Sequence, residues 1–213
     1  MRELGYYDGE CGPLSEMSVP MMDRVTVFGD GVYDAAMGRN GKIFALSEHI
    51  DRIFNDMAKL KINPPCSKQE MADTLLEMLG KVDESEVFVY WQVTRGTARR
   101  AHAFGADMKS NFWIMIFPDK VDPMNREFTA ITHEGTRFLH CDIKTLNLIP
   151  SVMYAQAAKE AGVDEAILLR KLPRSAPHAL PLTEASPENA PFHWGAFLRY
   201  KPLSWEDNQL SKE

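Results

Sequence analysis

One lysine, Lys144, stands within the stretch Arg137-Phe-Leu-His-Cys-Asp-Ile-Lys-Thr-Leu-Asn-Leu-Ile-Pro150, around which we expect the rest of the chain to be organised. The apolar residues predict a strand over Phe138–Ile143. Pro150 predicts the start of a helix that runs to Ala161, because a proline at the first helical position loses no hydrogen bond. A second apolar run predicts a strand over Asp164–Arg170. The segment is therefore predicted to read strand, crossover helix, strand.

A lysine at the end of an apolar strand can act as a nucleophile. Partial removal from water lowers the pKa of its amine, and the neutral amine can form a Schiff base with a carbonyl group. The alternative is an ordinary solvated lysine that follows a strand. Spacing alone favours that alternative for Lys144.

The run His140-Cys-Asp-Ile-Lys-Thr-Leu-Asn-Leu148 resembles the lysine motif of the class IV, pyridoxal-phosphate-dependent aminotransferases, most closely the D-amino-acid transaminases. In that family the corresponding lysine holds the cofactor, so the resemblance implies that Lys144 is both catalytic and bound to pyridoxal 5'-phosphate. The resemblance extends from about Gly5 to Arg170. It implies a two-lobed fold of mixed α+β and α/β character, with an N-terminal α/β lobe and a cofactor-binding C-terminal lobe.

Two further positions gain a role from this resemblance. The run Phe28-Gly-Asp-Gly-Val-Tyr33 is similar to the family strand that places a tyrosine against the substrate carboxylate, which implies that role for Tyr33. Its two glycines permit a sharp turn and a close approach, but they do not form a phosphate loop. The pattern His49-x-x-Arg52 resembles the one that places an arginine on the cofactor phosphate. Without the resemblance, Tyr33 would be a packing aromatic and Arg52 a surface charge.

The loop Arg95-Gly-Thr-Ala-Arg-Arg-Ala-His102 concentrates basic side chains after a strongly predicted strand, Val87–Thr94. Guanidinium groups suit a carboxylate because they donate paired hydrogen bonds. Arg100-Ala-His102 resembles the Arg-x-His pair with which D-amino-acid transaminases grip the substrate carboxylate across a dimer interface. The resemblance therefore implies D-amino acids as substrates and a homodimer. A solvated basic loop is the alternative.

Composition excludes several classes of partner. The net charge of -6 and the pI near 5.6 provide no general attraction to nucleic acid or to an anionic membrane surface. Three cysteines, an odd number without paired spacing, indicate neither a disulfide framework nor a metal site. No apolar run resembles a signal peptide or a membrane span. We therefore expect a cytoplasmic protein.

Local patterns divide the chain into four parts. These are an N-terminal α/β lobe at 1–117, a linker at 118–123, the beginning of the C-terminal lobe at 124–170, and a tail at 171–213. The remaining elements predicted are strands over Arg24–Phe28, Lys42–Leu46, Asn111–Phe117 and Phe128–His133, a helix capped by Ser47 that runs through Leu60, and a helix capped by Ser67 that runs through Leu79. A small edge hairpin is predicted within residues 1–24, where Asp8-Gly9 and Gly12-Pro13 mark turns before the short stretch Met17–Met22.

The resemblance stops after Arg170. Six of the 13 prolines fall within 171–213, a density unsuited to a packed sheet. We expect a shifted reading frame or a truncation, an incomplete C-terminal lobe and impaired activity, since the family glutamate that bonds the pyridinium nitrogen would follow this point. The favoured function is transamination between a D-amino acid such as D-alanine and a 2-oxo acid such as 2-oxoglutarate. The alternatives are a branched-chain L-aminotransferase, an aminodeoxychorismate lyase, or a catalytically silent α/β domain.

Overall fold

A computed structural model of the chain describes residues 1–123, 125–138 and 140–169. The described residues form two compact units. The first contains Met1–Pro123 together with Ile143–Asn147. The second contains residues 125–138, 140–142 and 148–169. The short segment that carries Lys144 therefore packs with the first unit. The predicted tail, 171–213, lies outside the described residues.

An antiparallel sheet of six strands forms the first unit. Its strands are β1 (Leu4–Tyr7), β2 (Glu10–Gly12), β3 (Gly31–Arg39), β4 (Lys42–Ile43), β5 (Glu86–Thr94) and β6 (Asn111–Pro118). They are arranged in the order β2-β1-β6-β5-β3-β4. The predicted strands Val87–Thr94 and Asn111–Phe117 are confirmed as β5 and β6. Both are rich in β-branched and aromatic residues, which pack well on a pleated surface.

The core of the first unit lies between one face of this sheet and two helices, α2 (Leu46–Leu60) and α3 (Lys68–Gly80). Alternate residues of β5 point into it, and Trp91 is completely buried. Ile53 and Met57 of α2 and Leu75 of α3 are completely buried as well. Apolar residues recur every second position along the strand and about every 3.6 positions along the helices, and these apolar faces pack together in one layer.

The two helix starts differ in how well sequence located them. Ser67 caps α3 as predicted: its hydroxyl accepts the Glu70 N–H, and the Glu70 carboxylate accepts the Ser67 N–H in return. The prediction that Ser47 caps α2 is wrong. Helix α2 begins at Leu46, two residues before the start that a Ser47 cap implies, and its cap residue Ala45 is in a left-handed conformation with φ 48°. Leu46 is buried. Packing of its side chain in the core favours a helix that begins at Leu46, before the polar residue Ser47.

Replacing Ser67 with alanine is expected to lower the free energy of unfolding by about 1 kcal/mol, because the capping box loses its hydroxyl acceptor. Ser47→Ala is the matched control. The Ser47 hydroxyl donates to Glu48 within the first turn of α2 and caps no helix end, so its loss is expected to change stability by less than about 0.5 kcal/mol. Urea denaturation of both variants measures the difference, and equal effects would contradict the assignment.

The strand predicted over Arg24–Phe28 is wrong, because these residues form a short helix, α1 (Arg24–Phe28). Asp23 caps it by accepting the Val25 N–H, and Gly29 ends it in a left-handed conformation with φ 61°. The run of β-branched residues favours a strand, but the cap and the C-terminal glycine outweigh this weak preference. The edge hairpin predicted within residues 1–24 is observed as β1 and β2, which turn at Asp8 and Gly9 and place β2 at the edge of the sheet.

The second unit pairs two parallel strands, β7 (Ala130–Glu134) and β8 (Glu165–Leu169), with helix α4 (Ile149–Glu160) preceding β8. The predicted crossover helix and the strand that follows it are thus observed. The strand predicted over Phe138–Ile143 is wrong, since its described residues form bends and turns. Here β8 takes β7 as its parallel partner, and the polar His140 and Asp142 interrupt the apolar run. Among the described residues, no helix is long and apolar enough to cross a bilayer.

Candidate active site

Backbone hydrogen bonds hold the segment Ile143–Asn147 against β3. The Tyr33 N–H donates to the Lys144 carbonyl at 3.0 Å, and the Leu146 N–H donates to the Gly31 carbonyl at 3.1 Å. Gly31 allows this approach, because a Cβ at this position would lie 2.6 Å from the Leu146 side chain and 2.7 Å from the Val93 carbonyl oxygen. The close approach predicted for the glycine pair is therefore confirmed at Gly31. Lys144 thus follows an irregular connection that the sheet itself fixes in place.

The amine of Lys144 lies over an aromatic ring. Its Nζ is 4.2 Å from the centroid of the Tyr33 ring. Burial lowers the pKa of Lys144 to about 7, and the positive charge of Arg52 acts in the same direction, whereas the carboxylates of Asp34 and Asp56 oppose the shift. Near neutral pH the amine therefore exists in comparable neutral and protonated forms. A neutral amine can attack a carbonyl carbon or accept a proton.

Tyr33 is held by aromatic stacking. Its ring lies against that of Tyr90, with centroids 5.4 Å apart and planes inclined by 22°. The Tyr90 hydroxyl in turn donates to Gln92 at 2.8 Å. Burial raises the pKa of Tyr33 above its ordinary value, so the phenol stays protonated near neutral pH. It can then donate a hydrogen bond to an anionic ligand.

Asp34 connects Arg52 to the sheet. Its carboxylate is completely buried, and it accepts two hydrogen bonds from Arg52, at 2.6 and 2.8 Å. With the proton on Nδ1, His49 also donates to it at 2.9 Å. Burial alone would raise the pKa of Asp34, but these hydrogen bonds outweigh burial and lower it. The Arg52 side chain remains 40% exposed, so Asp34 orients a guanidinium that still reaches the surface.

Arg100 and His102 lie at a different place in the first unit. Both are exposed, and both contact Phe28: the Arg100 guanidinium carbon lies 5.1 Å from the ring centroid, and the His102 ring lies 5.2 Å from it. Arg24 holds the loop by donating to the carbonyls of Ala101 and His102 at 2.6 and 3.2 Å. The loop therefore presents two basic side chains to solvent on a fixed backbone.

The structure thus gathers the five site residues predicted from sequence into two clusters. In the first cluster Lys144 lies over the Tyr33 ring, and the ion pair of Arg52 with Asp34 lies near enough for both charges to act on the lysine amine. In the second cluster Arg100 and His102 contact Phe28. Sequence reasoning missed Asp34, although a carboxylate between Val32 and Ala36 on the buried face of a strand signals a paired cation. It also missed Asp56, which accepts the Lys144 N–H from 88 positions away, and Arg24, which donates to the carbonyls of Ala101 and His102.

Comparison of the chain with known proteins identifies a family and several relatives. The family described as "Amino-transferase class IV" matches residues 31–175. A D-alanine aminotransferase of Bacillus licheniformis is 37% identical over 166 residues, which are 77% of this chain and 59% of that protein. One from Listeria monocytogenes is 36% identical over 160 residues, covering 73% of this chain and 55% of the relative. The chain thus spans less than two thirds of the length of these curated relatives.

Solved structures share the fold. A branched-chain aminotransferase from Thermoproteus uzoniensis superposes with a TM-score of 0.68 and 17% identity, over 78% of this chain and 59% of the other. A 4-amino-4-deoxychorismate lyase from Pseudomonas aeruginosa gives a TM-score of 0.64 and 24% identity, over 78% of this chain and 61% of the other. Likeness at this identity establishes the two-lobed fold expected from sequence. It does not choose among substrates.

Proposed function

The chain belongs to the class IV aminotransferases, and on this premise we propose that it transfers an amino group between a D-amino acid and a 2-oxo acid with the help of pyridoxal 5'-phosphate. The observation that carries the proposal is the place of the Lys144 amine, 4.2 Å from the centroid of the Tyr33 ring, where burial lowers its pKa to about 7. The curated relatives at 31–37% identity bear the name D-alanine aminotransferase. Arg100 and His102 support the D-amino-acid preference over the branched-chain and aminodeoxychorismate alternatives.

The donor set of the first cluster fits the cofactor. Pyridoxal phosphate needs an amine for its aldehyde carbon and a cationic donor for its phosphate. Lys144 offers the first, and the partly exposed guanidinium of Arg52 offers the second. When bound, the cofactor supplies a ring that accepts electrons from the carbon that loses its proton. The family acid that pairs with the ring nitrogen would follow Arg170, where the resemblance stops, and no residue of this chain is assigned that role.

The side chains of the chain have separate tasks in this reaction. The Lys144 amine would hold the cofactor, and as a neutral amine it could accept the proton of the substrate α-carbon and return it. The Tyr33 phenol donates to the substrate carboxylate. Arg100 and His102 bind that carboxylate as well. Because they are exposed and belong to a cluster of their own, we propose that they serve the site of a second copy in a homodimer.

The test is made on the purified full chain mixed with pyridoxal phosphate. Its visible spectrum reports cofactor binding, and chromatography of the glutamate formed from 2-oxoglutarate reports turnover with either D-alanine or L-leucine as the amino donor. We expect a protein-bound band and at least about tenfold higher turnover of D-alanine than of L-leucine. Preference for L-leucine, or release of pyruvate from aminodeoxychorismate, would overturn the substrate assignment. A chain without a bound band would overturn the proposed activity itself.

A further inference from the structure

Asp56 is a buried acid that touches the Lys144 segment. It lies on α2 one turn after Arg52, and only 1% of its surface is exposed. Its Oδ2 accepts the main-chain N–H of Lys144 at 2.9 Å, a hydrogen bond between residues 88 positions apart in the chain. A hydrogen bond to an ionised acceptor is stronger than a neutral one, so Asp56 ties the lysine backbone to the helix.

The second oxygen of Asp56 has a different environment. Among the described residues, Oδ1 is buried without a hydrogen-bond partner. A buried acceptor left in this state costs free energy, on the order of 1–3 kcal/mol. Asparagine or serine could accept the same backbone hydrogen bond without placing a charge here. The presence of a carboxylate therefore points to a use for its charge.

We propose that Asp56 is a positioning residue for Lys144, which fixes the lysine main chain through Oδ2 and, through its negative charge, keeps part of the amine protonated. The proposal rests on the proposed function, in which the Lys144 amine reacts with a carbonyl carbon. The hydrogen bond between Asp56 and Lys144 does not depend on which substrate is bound. A lysine that must both bond to a carbonyl carbon and carry a proton needs a pKa near the working pH, and a nearby carboxylate moves it in that direction.

The charges around Lys144 determine the sign of the effect. Burial and Arg52 of α2 favour the neutral amine, whereas Asp34 of β3 and Asp56 of α2 favour the protonated one. Tyr33 of β3, which faces the amine, is neutral in this range because burial raises its pKa. Burial raises the pKa of Asp56 above its ordinary value, although the backbone N–H of Lys144 and the cation of Lys59 act in the opposite direction and favour the charged carboxylate. Removing the Asp56 charge therefore lowers the pKa of Lys144.

The test measures the pKa of Lys144 in the full chain without cofactor. Competitive labelling with acetic anhydride across pH, read by peptide mass spectrometry, gives the midpoint of each amine. We expect a wild-type midpoint near pH 7 for Lys144, lowered by roughly half to one pH unit in Asp56→Asn. Asp51→Asn is the matched control, because it removes an exposed acid, 68% accessible, from the same helix. It is expected to leave the midpoint unchanged.

Hydrogen exchange of the peptide that contains Lys144 tests the backbone role. Asparagine keeps an acceptor for the Lys144 N–H, so exchange should stay slow in Asp56→Asn and rise at least about tenfold in Asp56→Ala. Equal midpoints in Asp56→Asn and Asp51→Asn overturn the charge role, and equal exchange in all chains overturns the backbone role. Should Asp56→Ala fail to fold, Asp56→Asn still decides the charge role. These readouts need no cofactor, so they remain informative if the proposed activity fails.

Discussion

Replacing Lys144 with alanine is expected to abolish the visible band of protein-bound pyridoxal phosphate and to lower transamination at least about 10³-fold, the order of loss seen when enzymes lose a covalent nucleophile. Lys144 carries the only amine that the structure, in its described residues, shows with a pKa lowered by burial to about 7. A lysine with the ordinary pKa of its side chain is protonated near neutral pH and attacks carbonyl carbons slowly.

Spectra and coupled turnover of the Lys144→Ala chain test this expectation. Lys68→Ala provides the control, since the Lys68 side chain is 56% exposed and pairs with Asp51, which is 68% exposed. Its loss should leave both the band and the rate as they are. An unchanged band in Lys144→Ala would show that another amine holds the cofactor, and the assignment of Lys144 would then be wrong.

Replacing Asp34 with asparagine is expected to lower the free energy of unfolding by about 2–3 kcal/mol, less than the roughly 3–5 kcal/mol found when a fully buried ion pair loses one partner, because water reaches the 40% exposed Arg52 side chain. The carboxylate of Asp34 is completely buried and accepts from both Arg52 and His49. An amide cannot neutralise the guanidinium, and its NH₂ group would face the Arg52 donors. Arg52 would then lose its fixed orientation.

Urea denaturation at neutral and acidic pH measures this loss. The pKa of Asp34 is lowered in the folded chain, so its stabilisation is present above about pH 4, the ordinary range for aspartate. It disappears as pH falls through the lowered value. The Asn variant should therefore lack that part of the acid sensitivity. Asp51→Asn should change stability by less than about 1 kcal/mol, as for other exposed pairs. A similarly small effect of Asp34→Asn would refute the role given to Asp34.

Short-range patterns determined much of the architecture. The β-branched and aromatic run of β5, the capping box of α3 and the proline that opens α4 each act within a few residues, so sequence located them correctly. The lysine motif and its companions named Tyr33, Arg52 and Lys144, which the structure brings near one another, and their roles toward a cofactor and a substrate stay a prediction. Where two local signals competed, at Arg24–Phe28, a side-chain cap and a glycine outweighed β propensity, and the strand prediction was wrong.

Tertiary structure alone decided which groups surround the amine. The bond between Asp56 and Lys144 joins residues 88 positions apart, and Asp34 meets Arg52 across 18. Such contacts depend on how β3, α2 and the segment Ile143–Asn147 pack against one another. The spacing of apolar residues along the sequence does not predict that packing. The pKa of Lys144 has the same origin. Sequence determined that a lysine stands at this position, whereas burial and the charges of distant residues decided its protonation.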